Sequence, residues 1–133
     1  VAGGQSPMFT FRDHAGLQRA IRAFWDAGRV VCVVCHGVAA LLEVKQADGA
    51  HLIAGRHMTG FANSEEDYAD QAVGRKMMPF RIEDEARRLG ADFVAGPAFK
   101  PFAVTDRNLI TGQQQNSGHE VARLVIAALG GAR

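Results

Sequence analysis

Residues 30–42 read Val30-Val31-Cys32-Val33-Val34-Cys35-His36-Gly37-Val38-Ala39-Ala40-Leu41-Leu42. The stretch 29–35 is β-branched and apolar on both faces, which is typical of a central strand in a parallel sheet. His36-Gly37 follows at once, and the pattern then predicts a short apolar helix over 38–44. A buried strand that runs directly into a helix can hold one side chain exposed on a strained turn. The stretch therefore predicts an α/β fold in which Cys35 stands at the top of the sheet.

Cys35 is the candidate nucleophile of this turn. Unpaired N–H groups at a helix start, together with the helix dipole, favour a thiolate over a thiol. The same N–H groups can stabilise an oxyanion, and Gly37 allows a tight backbone turn above the sulfur. His36 supplies a base at short distance. The alternative is a cysteine that is merely buried in an apolar strand.

Cys32 and Cys35 also have the spacing C-x-x-C that dithiol redox proteins use. Val33-Val34 continue the strand between them, so their side chains should point to opposite faces. We therefore interpret Cys32 as a core residue.

Residues 58–67 form a second candidate region, Met58-Thr59-Gly60-Phe61-Ala62-Asn63-Ser64-Glu65-Glu66-Asp67. A carboxylate that orients the imidazole improves a Cys–His pair, and Glu65 or Glu66 could supply it. The alternative is a capping box from Asn63 to Glu66, in which the acidic residues only favour the helix start. Spacing alone leaves both interpretations open.

Two glycine-containing stretches do not match nucleotide-binding motifs. Leu109-Ile110-Thr111-Gly112-Gln113 is a strand and a turn without the pattern of a phosphate loop. Gly3-Gly4 is not a dinucleotide fingerprint, but two glycines after a strand could present a backbone N–H to an oxyanion.

Helix and strand patterns alternate along the remaining chain, without repeats or linkers. Helices are predicted from a cap at Asp13 to Gly28, over 65–72, from Pro79 to Gly90 and after a Ser117–Glu120 capping box; strands are predicted over 56–61, 93–94, 103–105 and 109–111. This alternation predicts an α/β sandwich with a mostly parallel sheet, in which ligands bind at the carboxyl ends of the strands.

Composition limits the function classes further. The chain has 133 residues, 47% of them hydrophobic, and a formal net charge of +1. That length supports one core, and the balanced charge gives no reason to expect a nucleic acid or a membrane as a partner. Two cysteines exclude a disulfide scaffold and fit a cytoplasmic location. The histidines lack metal-ligand spacing, so no metal and no other cofactor is expected.

Four motifs in this order resemble the ThiJ/PfpI superfamily, a class I glutamine-amidotransferase-like group, and are most similar to its chaperone and glyoxalase III branch. The motifs are Gly3-Gly4-Gln5-Ser6-Pro7-Met8, Val34-Cys35-His36-Gly37, Thr59-Gly60-Phe61 with Glu65-Glu66, and Leu109-Ile110-Thr111-Gly112-Gln113. The resemblance covers essentially the whole chain. It implies one domain over 1–133 with a flavodoxin-like three-layer α/β/α sandwich, often a homodimer.

The resemblance also implies roles for individual residues. Cys35 matches the nucleophile and His36 the histidine that follows it, while the third residue of the site falls on Glu66 rather than Glu65. Gly3 and Gly4, with the N–H groups of Gly4 and His36, match the oxyanion and substrate-binding site. Gln5-Ser6 stands where His-Gly is common in this branch, and Gln114-Gln115 replaces a usual Asn-Pro.

The start of the chain, Val1-Ala2-Gly3-Gly4, is typical of the end of a strand. The resemblance implies that the first strands and helices of the family domain are missing here, and that a separate chain could carry them. In the family that segment brings an acidic residue beside the nucleophile. We therefore expect the activity of this chain to depend on it.

Three functions follow as alternatives. The first is a cofactor-free, cysteine-dependent glyoxalase III-type lyase that converts 2-oxoaldehydes such as methylglyoxal to 2-hydroxy acids without glutathione. The second is a cysteine amidase, peptidase or deglycase that uses the same thiolate. The third is a stress chaperone or redox sensor without catalytic turnover. The first two predict a small reactive carbonyl or an amide as substrate.

Overall fold

The computed structural model describes residues 1–130; residues 131–133, which the predicted domain includes, lie outside the described residues. The α-helices are α1 Pro7–Thr10, α2 Ala15–Asp26, α3 Asn63–Val73, α4 Ile82–Arg88 and α5 Gly118–Ala128. The strands are β1 Val31–Val34, β2 His57–Met58, β3 Asp92–Phe93, β4 Ala103–Asp106 and β5 Leu109–Gly112. Two 3₁₀ helices, Cys35–Leu41 and Gln115–Ser117, complete the elements. We call the first of them the elbow helix.

Strand pairing brings the two sequence motifs that end in glycine side by side. The main sheet has the order β1-β5-β4, in which β1 runs parallel to β5 and β4 pairs with β5 as an antiparallel hairpin. Val34 lies opposite Gly112, so the carboxyl ends of β1 and β5 meet at one edge. A second parallel pair joins β2 to β3. The α/β class and the mostly parallel pairing are therefore as predicted.

Helix α2 shows how the local sequence sets an element. Leu17 and Ile21 pack toward the core, and the chain leaves the helix through Gly28, whose φ of +64° suits a residue without a side chain. The predicted cap at Asp13 is wrong, since His14 occupies the N-cap position and its Nδ1 accepts a hydrogen bond from the N–H of Leu17.

Other predicted boundaries also shift. The helix after Cys35 is a 3₁₀ helix that begins at Cys35 itself rather than at residue 38. Helix α4 begins at Ile82 rather than Pro79, and its first turn carries Glu83, Asp84 and Glu85, which favour a helix start. Helix α5 receives no side-chain cap from Ser117.

The core centres on the elbow helix, all of whose residues are buried between the sheet and the neighbouring helices. Its partners include buried side chains from several elements: Met8, Ile21, Leu52, Ile53, Met58, Ile82, Phe93 and Leu109. Within residues 1–130, no helix combines the length and the apolar character that crossing a lipid bilayer requires.

Candidate active site

The turn between β1 and the elbow helix places Cys35 in a strained backbone conformation. Its φ is +60°, a left-handed value that is rare for a residue with a side chain. Glycines lie beside Cys35 at positions where a side chain would not fit. A Cβ on Gly3 would lie 2.6 Å from the Cβ of Cys35, and one on Gly37 would lie 2.7 Å from the carbonyl oxygen of Ala2. The surrounding structure thus holds the strained turn, as expected for a nucleophile elbow.

Three side chains form a continuous array at this turn. The Sγ of Cys35 lies 3.7 Å from Nδ1 of His36, and Nε2 of His36 lies 2.7 Å from Oε1 of Glu66. All three residues are buried, with exposed fractions of 7% for Cys35, 5% for His36 and 2% for Glu66. The fold therefore brings together the thiol and the imidazole of the sequence motif and the carboxylate of Glu66, on which the family resemblance places the third residue.

The imidazole of His36 binds a proton more strongly than an ordinary histidine. Burial alone lowers its pKa, but the hydrogen bonds and negative charges of Cys35 and Glu66 outweigh burial and raise the pKa from 6.5 to about 9. At neutral pH the array therefore holds an imidazolium between two groups that can be anionic.

The structure separates the two adjacent glutamates. Glu66 faces His36, whereas Glu65 is buried on the other side and accepts hydrogen bonds from three N–H groups: the backbone N–H of Ala62 at 3.0 Å, the backbone N–H of Phe99 at 2.9 Å and Nε2 of Gln113 at 2.9 Å. The capping interpretation therefore fits Glu65, and the orienting interpretation fits Glu66. The predicted cap at Asn63 is off by one residue, since Ala62 is the N-cap of α3, and the helix begins at Asn63 rather than at residue 65.

Gln113 has a structural role that sequence reasoning missed. Its Nε2 donates to Glu65, and its Oε1 accepts the backbone N–H of Gly96 at 2.8 Å. Nearby, Oγ1 of Thr111 accepts the N–H of Thr59 at 2.9 Å. The Thr111-Gly112-Gln113 stretch therefore ties the end of β5 to the loops after β2 and β3. The available signal was a polar run directly after a buried strand.

The glycines predicted for an oxyanion site lie beside the turn. Gly3 contacts Cys35, and Gly4 follows with a φ of +104° and open space where a side chain would project. The oxyanion roles of Gly3, Gly4 and the His36 N–H stay predictions.

Cys32 is separated from this array. Both cysteines are free, and burial raises the pKa of the Cys32 thiol. Cys32 lines an apolar cavity of about 220 Å³ together with Leu17, Ile21 and Phe24 of α2. Among residues 1–130 no group of three or more metal-binding side chains comes together.

The chain has recognisable relatives over nearly its whole length. The model of the DJ-1/PfpI family matches residues 1–128. Glyoxalase 3 of Candida albicans is 31% identical over 131 residues, which are 96% of this chain and 55% of that protein. The glutathione-independent glyoxalase HSP31 of Saccharomyces cerevisiae is 32% identical and covers 97% of this chain and 56% of its own length. The chain thus spans about half the length of these relatives.

Two further comparisons bear on the fold and on the range of activities. The crystal structure of glyoxalase III from Candida albicans superposes with a TM-score of 0.82 at 30% identity, over 95% of this chain and 54% of that chain. This similarity confirms the predicted fold. The glutamine amidotransferase-like class 1 domain-containing protein 1 of Bos taurus is 33% identical over 101 residues, 76% of this chain and 44% of that protein.

Proposed function

The chain belongs to the DJ-1/PfpI family, and from this premise we propose that it carries the reactive thiol of a glutathione-independent glyoxalase. The proposed substrate is a small 2-oxoaldehyde such as methylglyoxal, and the product is the corresponding 2-hydroxy acid. The names of the relatives from Candida albicans and Saccharomyces cerevisiae support this assignment.

The observation that carries the proposal is the buried array of Cys35, His36 and Glu66 on a strained turn. A thiolate can attack an aldehyde carbon, and an adjacent imidazole can give and take protons. The carboxylate of Glu66 fixes which nitrogen of His36 faces Cys35. These are the groups that the isomerisation of a 2-oxoaldehyde needs.

The first step is the addition of the Cys35 thiolate to the aldehyde carbon. A carbon–sulfur bond forms, the carbonyl π electrons move onto oxygen, and a proton from His36 completes a hemithioacetal. The backbone N–H groups of Gly4 and His36 are the proposed donors to the oxyanion.

The second step moves hydrogen between the two substrate carbons. A base removes the proton from the carbon that bears sulfur while the neighbouring carbonyl oxygen takes up a proton, which gives an enediol. A proton then adds to the neighbouring carbon as the hydroxyl on the sulfur-bearing carbon loses its proton. The product is a thioester of a 2-hydroxy acid. Water hydrolyses it, so that methylglyoxal and one water yield lactate and the free thiol, with no external oxidant or reductant.

The test is lactate formation from methylglyoxal in the absence of glutathione. In protein that includes the family segment expected to bring the acidic residue, we expect turnover, its loss in Cys35→Ala and its retention in Cys32→Ser, since Cys32 lies outside the array. Full turnover by Cys35→Ala would show that the sulfur of Cys35 does not carry the reaction.

A second candidate is amide hydrolysis through a thioester at Cys35, which the similarity to a glutamine amidotransferase-like protein favours. It needs the same thiolate, imidazole and oxyanion donors. Ammonia release from glutamine or simple amides, without lactate from methylglyoxal, would identify this activity instead.

A further inference from the structure

The imidazole of His36 is held from three directions. Cys35 contacts Nδ1 at 3.7 Å and Glu66 contacts Nε2 at 2.7 Å. The third contact is with Phe61, whose ring stacks on the imidazole with centroids 4.0 Å apart and an interplanar angle of 27°. Two contacts at the nitrogens leave the ring free to tilt about the line that joins them. A ring packed on its face removes that tilt.

The fold places Phe61 there through its neighbours in the chain. A Cβ on Gly60 would lie 2.9 Å from Cγ2 of Ile82 and 3.0 Å from Cγ2 of Val38, so the backbone before Phe61 packs directly on the elbow helix and α4. After Phe61, the N–H of Ala62 is fixed by the carboxylate of Glu65. Phe61 itself is buried, with an exposed fraction of 8%.

We propose that Phe61 is a positioning residue of the Cys35–His36–Glu66 array: its ring fixes the plane of the His36 imidazole and favours the protonated form. This inference rests on the proposed function, in which His36 exchanges protons with Cys35 and the substrate. Neither the resemblance nor the spacing of charged residues assigns a role to Phe61.

The attraction between the Phe61 ring and the imidazolium opposes the burial that lowers the pKa of His36. Cys35 from the elbow helix and Glu66 from α3 are the titratable groups that contact His36. The face of an aromatic ring carries negative quadrupole density, which attracts a cation stacked on it. A leucine at position 61 would keep the apolar volume but lose this attraction and allow the imidazole to tilt.

The experiment compares Phe61→Leu with Phe61→Tyr, which keeps the ring, and with the matched control Phe24→Leu on α2, outside the array. One readout is the titration of His36 by NMR, and the other is the rate at which iodoacetamide alkylates Cys35 across pH 5–10. In Phe61→Leu we expect the His36 midpoint to fall by about 0.5–1 pH unit and alkylation near neutral pH to change about threefold to tenfold. Phe61→Tyr and Phe24→Leu should behave like the unmodified protein.

A folded Phe61→Leu variant with an unchanged His36 midpoint and unchanged alkylation would overturn the proposal, as would a Phe61→Tyr variant that behaves like Phe61→Leu. If Phe61→Leu does not fold, Phe61→Met, which has a similar volume and no ring, gives the same comparison. The readouts do not depend on lactate formation. A shifted midpoint in a protein that makes no lactate would therefore support the role of Phe61 and reject the proposed activity.

Discussion

At the scale of single residues, Gly3 and Gly4 differ in what a side chain would meet. A Cβ on Gly3 would collide with Cβ of Cys35 and approach its Sγ to 3.1 Å, whereas a Cβ on Gly4 would meet nothing within 4 Å. We predict that Gly3→Ala slows alkylation of Cys35 at least tenfold and costs about 1–3 kcal/mol of unfolding free energy. Gly4→Ala should cost about 1–2 kcal/mol through its left-handed φ alone.

The control for both variants is Gly118→Ala. Gly118 begins α5 with a helical φ of −58° and has open space around its Cα, so alanine should leave the stability unchanged or raise it by about 0.5–1 kcal/mol. Equal alkylation rates in Gly3→Ala and Gly118→Ala would contradict the close packing of Gly3 against the thiol.

The raised pKa of His36 predicts how stability depends on pH. The folded protein binds this proton with a pKa of about 9, against 6.5 for an unperturbed histidine. The stabilisation from the imidazolium is therefore fully present below pH 6.5 and is lost as the pH rises through 9. We expect the unfolding free energy, measured in urea at pH 6 and pH 9.5, to fall by about 1–3 kcal/mol more in the unmodified protein than in His36→Gln. If the unfolding free energies of the two proteins changed equally with pH, the predicted contribution of the His36 imidazolium would be contradicted.

At the scale of elements, one carboxylate holds three segments together. Glu65, in the first turn of α3, is fully buried and accepts N–H groups from Ala62, Phe99 and Gln113. Glu65→Ala would leave these donors without their acceptor in a buried site, which costs about 1–3 kcal/mol for each donor that water cannot reach. We predict a loss of about 3 kcal/mol or more in urea unfolding, with slower alkylation of Cys35 because the neighbouring Glu66 shifts with the helix.

The matched variant is Glu120→Ala. Glu120 also lies in the first turn of a helix, but it is only partly buried, so the change should cost about 0.3–1 kcal/mol. If Glu65→Ala and Glu120→Ala lowered the unfolding free energy by the same small amount, the buried carboxylate of Glu65 would not hold the three segments together.

The sequence predicted the element types better than their ends. The type of an element depends on which residues are buried, and the pattern of hydrophobic residues indicates this directly. The apolar run before Cys35 predicts a strand, and the spacing of Leu17 and Ile21 predicts a helix. The ends depend on which polar group reaches an unpaired N–H. His14 rather than Asp13 caps α2, and Ser117 directs its Oγ to the N–H of Phe102 instead of capping α5.

The candidate site was predictable only in part for a related reason. Cys35 and His36 are adjacent in a strand–turn–helix pattern, so their proximity follows from local geometry. The choice between Glu65 and Glu66 depends on which face of α3 meets the elbow helix, and Phe61 meets His36 only through the packing of Gly60 on Val38. These contacts join segments that are distant in sequence.

At the scale of the whole molecule, Arg12 links three parts of the chain. From the turn between α1 and α2, its guanidinium bonds to Glu43 after the elbow helix at 2.8 Å and to Glu85 of α4 at 2.6 Å. It also lies 4.9 Å from the centre of the Phe80 ring. Arg88 adds a second partner to Glu85. The hydrogen bonds of Arg88 and then Arg12 lower the pKa of Glu85, so this stabilisation is present above about pH 4.5 and is lost as the pH falls further.

A forked cation that is half-buried and shared by two carboxylates should contribute more than an exposed pair. We predict that Arg12→Met, which keeps the apolar stem, lowers the unfolding free energy by about 1–2 kcal/mol at pH 7, and that Arg12→Lys recovers only part of it because an ammonium cannot reach both carboxylates in a fixed fork. The control is Arg87→Met, since the half-exposed Arg87 pairs with a single carboxylate, Glu83, within α4 and should contribute less than about 0.5 kcal/mol. The Arg12 bonds join different elements, whereas the Arg87 bond lies within one helix. Equal losses of unfolding free energy in the two variants would therefore mean that Arg12 adds only a surface charge pair. Apolar packing alone would then hold α1, the elbow helix and α4 together.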